Sequence, residues 1–219
     1  MKKIILFCFT FSAASNAFSQ DNVSINFAQH YSTFKYTDSQ GNTDPNMSSS
    51  FRSGFGLSYS KVFHSGFFIR PEMDFKNLGA VSNLYNQKLD WSLNYFDVNL
   101  GFGCIKHFGS FAPFIGISPY ISYLYKASQT IGSDTYDLIA DKGIKTSDYG
   151  LTIFGGLKYQ FTEITSLFAE ISNTTGLMQL ETNSESGQNQ KLYNRAVSFH
   201  FGISFNLVSK KRARMKSNF

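Results

Sequence analysis

The stretch Phe67-Phe68-Ile69-Arg70-Pro71-Glu72-Met73-Asp74-Phe75-Lys76 carries the strongest structural signal in the chain. On an extended strand successive side chains point to opposite faces. Phe67, Ile69, Pro71, Met73 and Phe75 therefore share one face, and Phe68, Arg70, Glu72, Asp74 and Lys76 share the other. Four consecutive charged positions opposite an unbroken apolar face do not suit a soluble sandwich, whose inward face is the apolar one. They suit a closed sheet that is greasy outside and polar within. A soluble lipocalin-type barrel would reverse the two sides, leaving Arg70, Glu72, Asp74 and Lys76 in water around an apolar cup.

The same alternation recurs outward from this segment. Over 51–63, Phe51, Phe55, Leu57, Tyr59 and Phe63 oppose Arg52, Gly54, Gly56, Ser58 and Ser60. Segments 96–103, 113–123, 149–161, 167–171 and 197–207 read alike, and 23–36 begins the pattern with Val23, Ile25 and Phe27 before it weakens, so the periodicity predicts eight strands. Pro113 and Pro119 each remove a ladder donor from the fifth. Connections are tight around 64–66, 108–110 and 162–164, but long and polar over 37–50, 77–90, 126–147 and 174–193. Short and long links in alternation, with an even strand number, predict an all-β fold: an eight-stranded antiparallel up-and-down transmembrane β-barrel with both termini on the short-turn, periplasmic side. Closure is required, because each backbone donor left unpaired in hydrocarbon costs several kcal/mol. Trp91, Tyr95, Tyr59, Phe63, Tyr123, Tyr125, Tyr159 and Phe161, near strand ends, are expected to form the interfacial girdles.

The 24 Phe and 12 Tyr, with charged residues at only 16%, exclude a disordered chain. Residues 1–19 read as a secretory signal: Lys2 and Lys3, an apolar run over 4–11, then Ala17 and Ser19 at the positions a signal peptidase favours before Gln20. Beyond it no apolar run is long enough for a membrane helix. The expected organisation is a signal at 1–19, a barrel at 20–208 and a basic periplasmic tail at 209–219. Net charge is +5, but Lys2, Lys3 and the tail bases Lys210, Lys211, Arg212, Arg214 and Lys216 account for it, leaving thirteen bases against fifteen acids. Such a body has no nucleic-acid footprint. Cys8 lies within the leader's apolar run, so the mature chain keeps Cys104 alone and forms neither an internal disulfide nor a cysteine metal cluster.

The run Phe68-Ile69-Arg70-Pro71-Glu72-Met73-Asp74-Phe75-Lys76-Asn77-Leu78-Gly79, with Tyr95-Phe96-Asp97-Val98, Ala112-Pro113-Phe114-Ile115-Gly116 and Tyr149-Gly150-Leu151-Thr152-Ile153-Phe154-Gly155-Gly156, resembles the PorT-type outer-membrane β-barrel family of Bacteroidota. Asp97-Val98-Asn99 departs from it by lacking the proline that usually follows the acid on that strand. The resemblance implies an eight-stranded outer-membrane barrel without generic catalytic residues.

Inside such a barrel the bases Arg52, Arg70, Lys76 and Lys158 face the acids Glu72, Asp74, Asp97, Asp148 and Glu170. Near balance points to a salt-bridged structural network in a plugged lumen, with Glu72 expected to pair with Arg52 or another inward base. His30 and Ser32, two apart on one face, have the spacing of a hydrolase pair but no assignable third partner. His64, His107 and His200 are too scattered for metal ligation. Gly101, Gly103, Gly155 and Gly156 lack the strand-to-helix setting of a phosphate loop and read as close-packed lumen positions. The expectation is a non-enzymatic barrel without cofactor or metal, monomeric, in contact with outer-membrane lipids and a periplasmic or extracellular protein. The alternative is a narrow pore or lipid hydrolase.

Overall fold

Among the described residues of the computed structural model nine strands form: β1 (Gln20–Thr37), β2 (Met47–Val62), β3 (Phe67–Leu84), β4 (Gln87–Ile105), β5 (Phe111–Ile131), β6 (Asp134–Asp137), β7 (Ser147–Gln160), β8 (Thr165–Gly176) and β9 (Lys191–Leu207). The structure describes residues 20–37, 47–84, 87–141, 143–181 and 191–207. The expected leader at 1–19 and basic tail at 209–219 lie outside them. Eight strands close into a ring of antiparallel ladders, joined from β1 to β9 at one seam and from β4 to β5 at another. The ninth, β6, is a short addition that folds back on the far end of β5, pairing Ser128 with Asp137 and Ile131 with Asp134. Its Asp-Thr-Tyr-Asp sequence has no apolar alternation, so nothing in the pattern marks it as a strand.

At the short-turn end, Gly66 and Gly109 adopt φ of 81° and 61°, a left-handed conformation that costs a side-chain-bearing residue about 1 kcal/mol or more. Those turns let β2–β3 and β4–β5 reverse within a few residues. Pro113 and Pro119 both sit on the outer face of β5, and the register of β5 with β4 is the same on either side of Pro119.

Alternation holds along every barrel strand. The outward face carries Ile25, Phe27 and Tyr31, then Phe51, Phe55 and Leu57, Met73 and Phe75, Ile115 to Ile121 at alternate positions, and Phe199 to Phe205 likewise, with Phe51 71% and Ile121 70% exposed. Rings from adjacent strands stack across it: Tyr31 on Phe51, Phe55 on Phe75 and Phe75 on Phe96, all with centroids 5.1 Å apart. Outward apolar runs of 67–75, 96–104 and 149–159, and one of 23–31 that Gln29 interrupts, match the roughly 9–11 tilted residues that cross a bilayer.

Towards the long-loop end the pattern inverts. One step past Tyr31, Phe75, Phe96, Tyr123 and Val197, the outward positions become Thr33, Asn77, Asn94, Lys126 and Arg195, while the inward ones become Phe34, Leu78, Leu93, Leu124 and Leu192. Above this level the wall is built like a soluble barrel, polar outside and apolar within. Phe34, Leu78, Leu93, Tyr95, Leu124 and Leu192 pack there with Ile144 and Leu180 from the connecting segments, which are tied in by Lys145 N donating to Leu180 O at 2.7 Å and Leu180 N to Leu192 O at 2.9 Å.

Two expectations are corrected here. Residues 77–90 are not a loop but the upper part of a hairpin in which β3 and β4 stay paired up to Leu84 and Gln87. Trp91 and Tyr95 are not girdle residues: both fall on the inward side of this upper wall, Trp91 edge-on to Phe34 at 6.3 Å and Tyr95 fully buried.

Candidate functional site

The barrel interior is organised in layers. Towards the short turns, beyond a polar end that includes Asn22, Lys158 and Asn206, Phe68 of β3, Phe114 of β5 and Phe154 of β7 form a triangle of rings 6.2–6.4 Å apart, packed with Ile105 and Phe168. Each ring lies over a glycine on the neighbouring strand. A Cβ on Gly103 would meet the Phe68 ring at 2.6 Å, one on Gly116 the Phe154 ring at 2.5 Å, one on Gly156 the Phe114 ring at 2.6 Å and one on Gly202 the Phe168 ring at 2.5 Å. The lumen glycines are sockets for lumen aromatics, which gives Gly103 and Gly156 the close-packing role expected of them.

The charged layer follows. Arg70 reaches from β3 across the lumen to β8, where its Nη1 and Nη2 donate to the two carboxylate oxygens of Glu170 at 2.6 and 3.2 Å. Its Nε lies 3.3 Å from Glu72, and the guanidinium stacks over Phe154 at 4.2 Å from the ring centroid. A bidentate guanidinium seated on an aromatic face is a pairing a lysine would not reproduce. Glu72 also accepts from Asn26 Nδ2 at 2.9 Å. Lys76 pairs with Asp97 on β4 and lies over the Tyr120 ring at 4.4 Å. Asp74 accepts from Asn99, and Asp148 from Asn194 Nδ2 at 2.8 Å and the Tyr120 hydroxyl at 3.3 Å, while the same Asn194 amide donates to the Tyr95 hydroxyl at 2.9 Å. Lys158 stands outside this layer, on the turn side of the rings, where it donates to Ser204 Oγ at 3.0 Å. Five acids thus face Arg70 and Lys76 in this layer, and Asp74 and Asp148, which pair with neither, are held by the amides of Asn99 and Asn194 and by the Tyr120 hydroxyl.

Arg52 is the member of the anticipated network that stands apart. It extends past Gly79 to pair with Asp90 and to donate to the Trp91 carbonyl at 3.0 Å, both on the upper part of β4. Glu72 therefore pairs with Arg70 and not with Arg52. Alternation places a side chain on a face; it does not say how far along the strand a long side chain leans.

His30 and Ser32 do not bond to each other. His30 Nδ1 is 2.7 Å from Ser198 Oγ, and Ser32 Oγ both donates to the Gly79 carbonyl and accepts from the Gly79 amide at 2.9 Å. His200 Nε2 bonds Ser172 Oγ at 3.0 Å and sits edge-on to His30, 6.1 Å away. These serines are buried on the lumen wall, out of reach of a bulk substrate. Among the described residues no group of three or more His, Cys, Asp or Glu side chains is placed to hold a metal ion.

Between the charges lies a cavity of about 50 Å³ that His30, Arg70, Lys76, Asp97, Glu170 and His200 help to line. A second, of about 40 Å³, sits beside Phe68 and Phe114 where Ser24, Ser58 and Ser60 leave space. Each suits a few water molecules, since one water needs about 10–15 Å³, and each is far below the roughly 300–1,000 Å³ of a small-molecule site. His30 Nε2, Asp97 Oδ1, Asp148 Oδ1 and Asn194 Oδ1 are buried without a protein partner, the kind of group such waters satisfy.

No family model matches the chain, and no curated protein matches it. Solved structures do. OprG, an outer membrane protein from Pseudomonas aeruginosa, superposes with a TM-score of 0.52 at 14% identity, over 87% of this chain and 97% of that one. Neisserial surface protein A superposes with a TM-score of 0.50 at 12% identity, over 84% of this chain and 97% of that one. The chain has the eight-stranded outer-membrane β-barrel fold. At these identities the likeness carries architecture and no more.

Proposed function

We propose that the protein is a closed outer-membrane barrel with a structural or partner-binding role, presenting its long-loop end to the outside and both strand termini to the periplasm. The observation that carries this reading is the layered lumen: the charged layer is bracketed by the Phe68–Phe114–Phe154 triangle on one side and by the Leu78, Leu93, Leu124 and Leu180 cluster on the other. The rings and the leucine cluster narrow the lumen on either side of the charged layer, and the cavities between and beside them are water-sized, which supports a barrel that does not pass hydrated ions. The outward belt and the closed ring support membrane residence as a monomer, because no unpaired strand edge faces lipid. The raised β3–β4–β5 wall supports binding, since it offers a rigid sheet and not only loops to a partner. The resemblance of 68–79 and the following strands to the PorT-type family favours the same assignment, and a basic tail in the periplasm would give a second contact for an acidic partner.

Conductance in planar bilayers tests the closed reading. The expected result is a silent membrane, and steady single-channel currents from the purified protein would overturn it.

A further inference from the structure

The outward face of β1, β9 and β8 carries an exposed basic cluster directly above the belt. Arg195 of β9 stands in register between Thr33 of β1 and Thr175 of β8; Lys35 of β1 faces Tyr193, and Lys191 faces Thr37. Lys35 is therefore a diagonal neighbour of both Arg195 and Lys191, within roughly 7–8 Å on a sheet face. All three bases are exposed, and among the described residues none is in a salt bridge. No acid shares the outward face of these strands apart from Asp21, at the opposite end of β1, because Glu170 of β8 turns inward. Below the cluster the same face carries Tyr31, Val197, Phe199 and Ile171, with Asn173 level with Val197 and Gln29 level with Phe199 as its polar members.

We infer that this face binds a phosphate-bearing membrane lipid, its acyl chains lying along Val197, Phe199 and Ile171 and its headgroup phosphate held by Arg195, Lys35 and Lys191. Charge complementarity identifies the headgroup: three cations with threonine and tyrosine hydroxyls among them, and no carboxylate, favour an anion. The apolar side chains of Val197, Phe199 and Ile171 below it identify the rest, because a soluble anion would gain nothing from them. The level also fits, since the cluster begins one step above the row where the inward and outward faces exchange polarity, which is the headgroup depth. The inference rests on the membrane residence proposed above, and its outward placement on the proposed topology.

Native mass spectrometry of the full-length protein in detergent tests it, with dioleoyl phosphatidic acid as the probe and dioleoyl glycerol, the same lipid without phosphate, as its comparison. Phosphatidic acid adducts are expected in preference to diacylglycerol adducts, weakening with added salt and unaffected by inorganic phosphate. K35Q/K191Q/R195Q is expected to weaken phosphatidic acid binding about a hundredfold, each base near a charged surface being worth about fivefold. K126Q, which removes a base on the far side of the ring, should leave it unchanged. Retained binding in the triple variant, equal binding of diacylglycerol, or displacement by inorganic phosphate would overturn the lipid site. Heat-dependent gel mobility reports whether the triple variant is folded; if it is not, R195Q alone, with an expected fivefold loss, takes its place. Topology is read separately by labelling K35C with an impermeant maleimide on intact cells in a C104S background, since Cys104 is an exposed free thiol. Labelling there supports the outward placement. Protection there with phosphatidic acid binding intact would overturn the topology and leave the lipid site standing.

Discussion

At the scale of single residues, the lumen separates groups whose loss leaves a charge stranded from groups whose loss merely leaves space. Lys76 and Asp97 form the simplest pair: Asp97 is 1% exposed, and Lys76 is its one cation. Lys76→Met strands that carboxylate, and the expected cost is about 3–5 kcal/mol, read as a lower urea midpoint by heat-dependent gel mobility in detergent. Lys76→Met with Asp97→Asn removes both charges and should recover most of the loss; a double variant as weak as the single would contradict the pairing. The glycine sockets give a sharper contrast. A Cβ on Gly156 would meet the Ala169 carbonyl oxygen at 2.3 Å as well as the Phe114 ring, whereas one on neighbouring Gly155 meets nothing closer than the Phe114 carbonyl at 3.5 Å. Gly156→Ala should therefore destabilise by about 1–3 kcal/mol, and Gly155→Ala by no more than about 0.5. Adding Phe114→Leu should not rescue Gly156→Ala, because the backbone oxygen stays where it is.

At the scale of the strand, each long element is two kinds of wall in sequence. Residues 67–76 of β3 were legible because lipid outside and charge inside impose one phase of alternation. Residues 77–84 resemble a loop in sequence because the polarity of the two faces exchanges at Asn77 and Leu78, and against an apolar-out pattern the exchanged half looks irregular. The same reversal hid the inward placement of Trp91 and Tyr95. Lumen membership of Arg70, Glu72, Asp74, Lys76, Asp97 and Glu170 followed from period two alone, but their partners did not: Arg70 and Glu170 are 100 residues apart, and their meeting depends on the stagger of strands around a closed ring. For the same reason the hydroxyl beside His30 belongs to Ser198 on the next strand and not to Ser32 on its own. If the upper wall is a separate packed unit, its stability should be separable. Leu93 and Leu124 are fully buried there. Leu93→Ala, at an expected cost of about 2–5 kcal/mol, should raise amide exchange over 77–84, 87–95 and 124–131 while the ladders between 67–75 and 96–104 stay protected. Uniform loss of protection along both strands would mean that the barrel melts as one body.

At the scale of the whole molecule, two apolar layers stand in series about a layer where acids outnumber bases, and series barriers make a specific demand on any attempt to open the barrel. Removing the layer on the turn side, with Phe68, Phe114 and Phe154 all changed to Ala, leaves the Leu78, Leu93, Leu124 and Leu180 cluster in place. That variant should remain silent in a planar bilayer although a wider cavity has been cut into it. Changing Leu93, Leu124 and Leu180 to Ser should likewise give silence, because the triangle of rings still stands. Only the combination exposes the charged layer to water from both sides, and there the five acids Glu72, Asp74, Asp97, Asp148 and Glu170 face Arg70 and Lys76, so the resulting current should favour cations. Folded yield is checked by gel mobility before each recording. Conduction by either half-opened variant would show that the layer left intact is not a barrier, and an anion-preferring current from the combined variant would show that the acids do not set the field along the path.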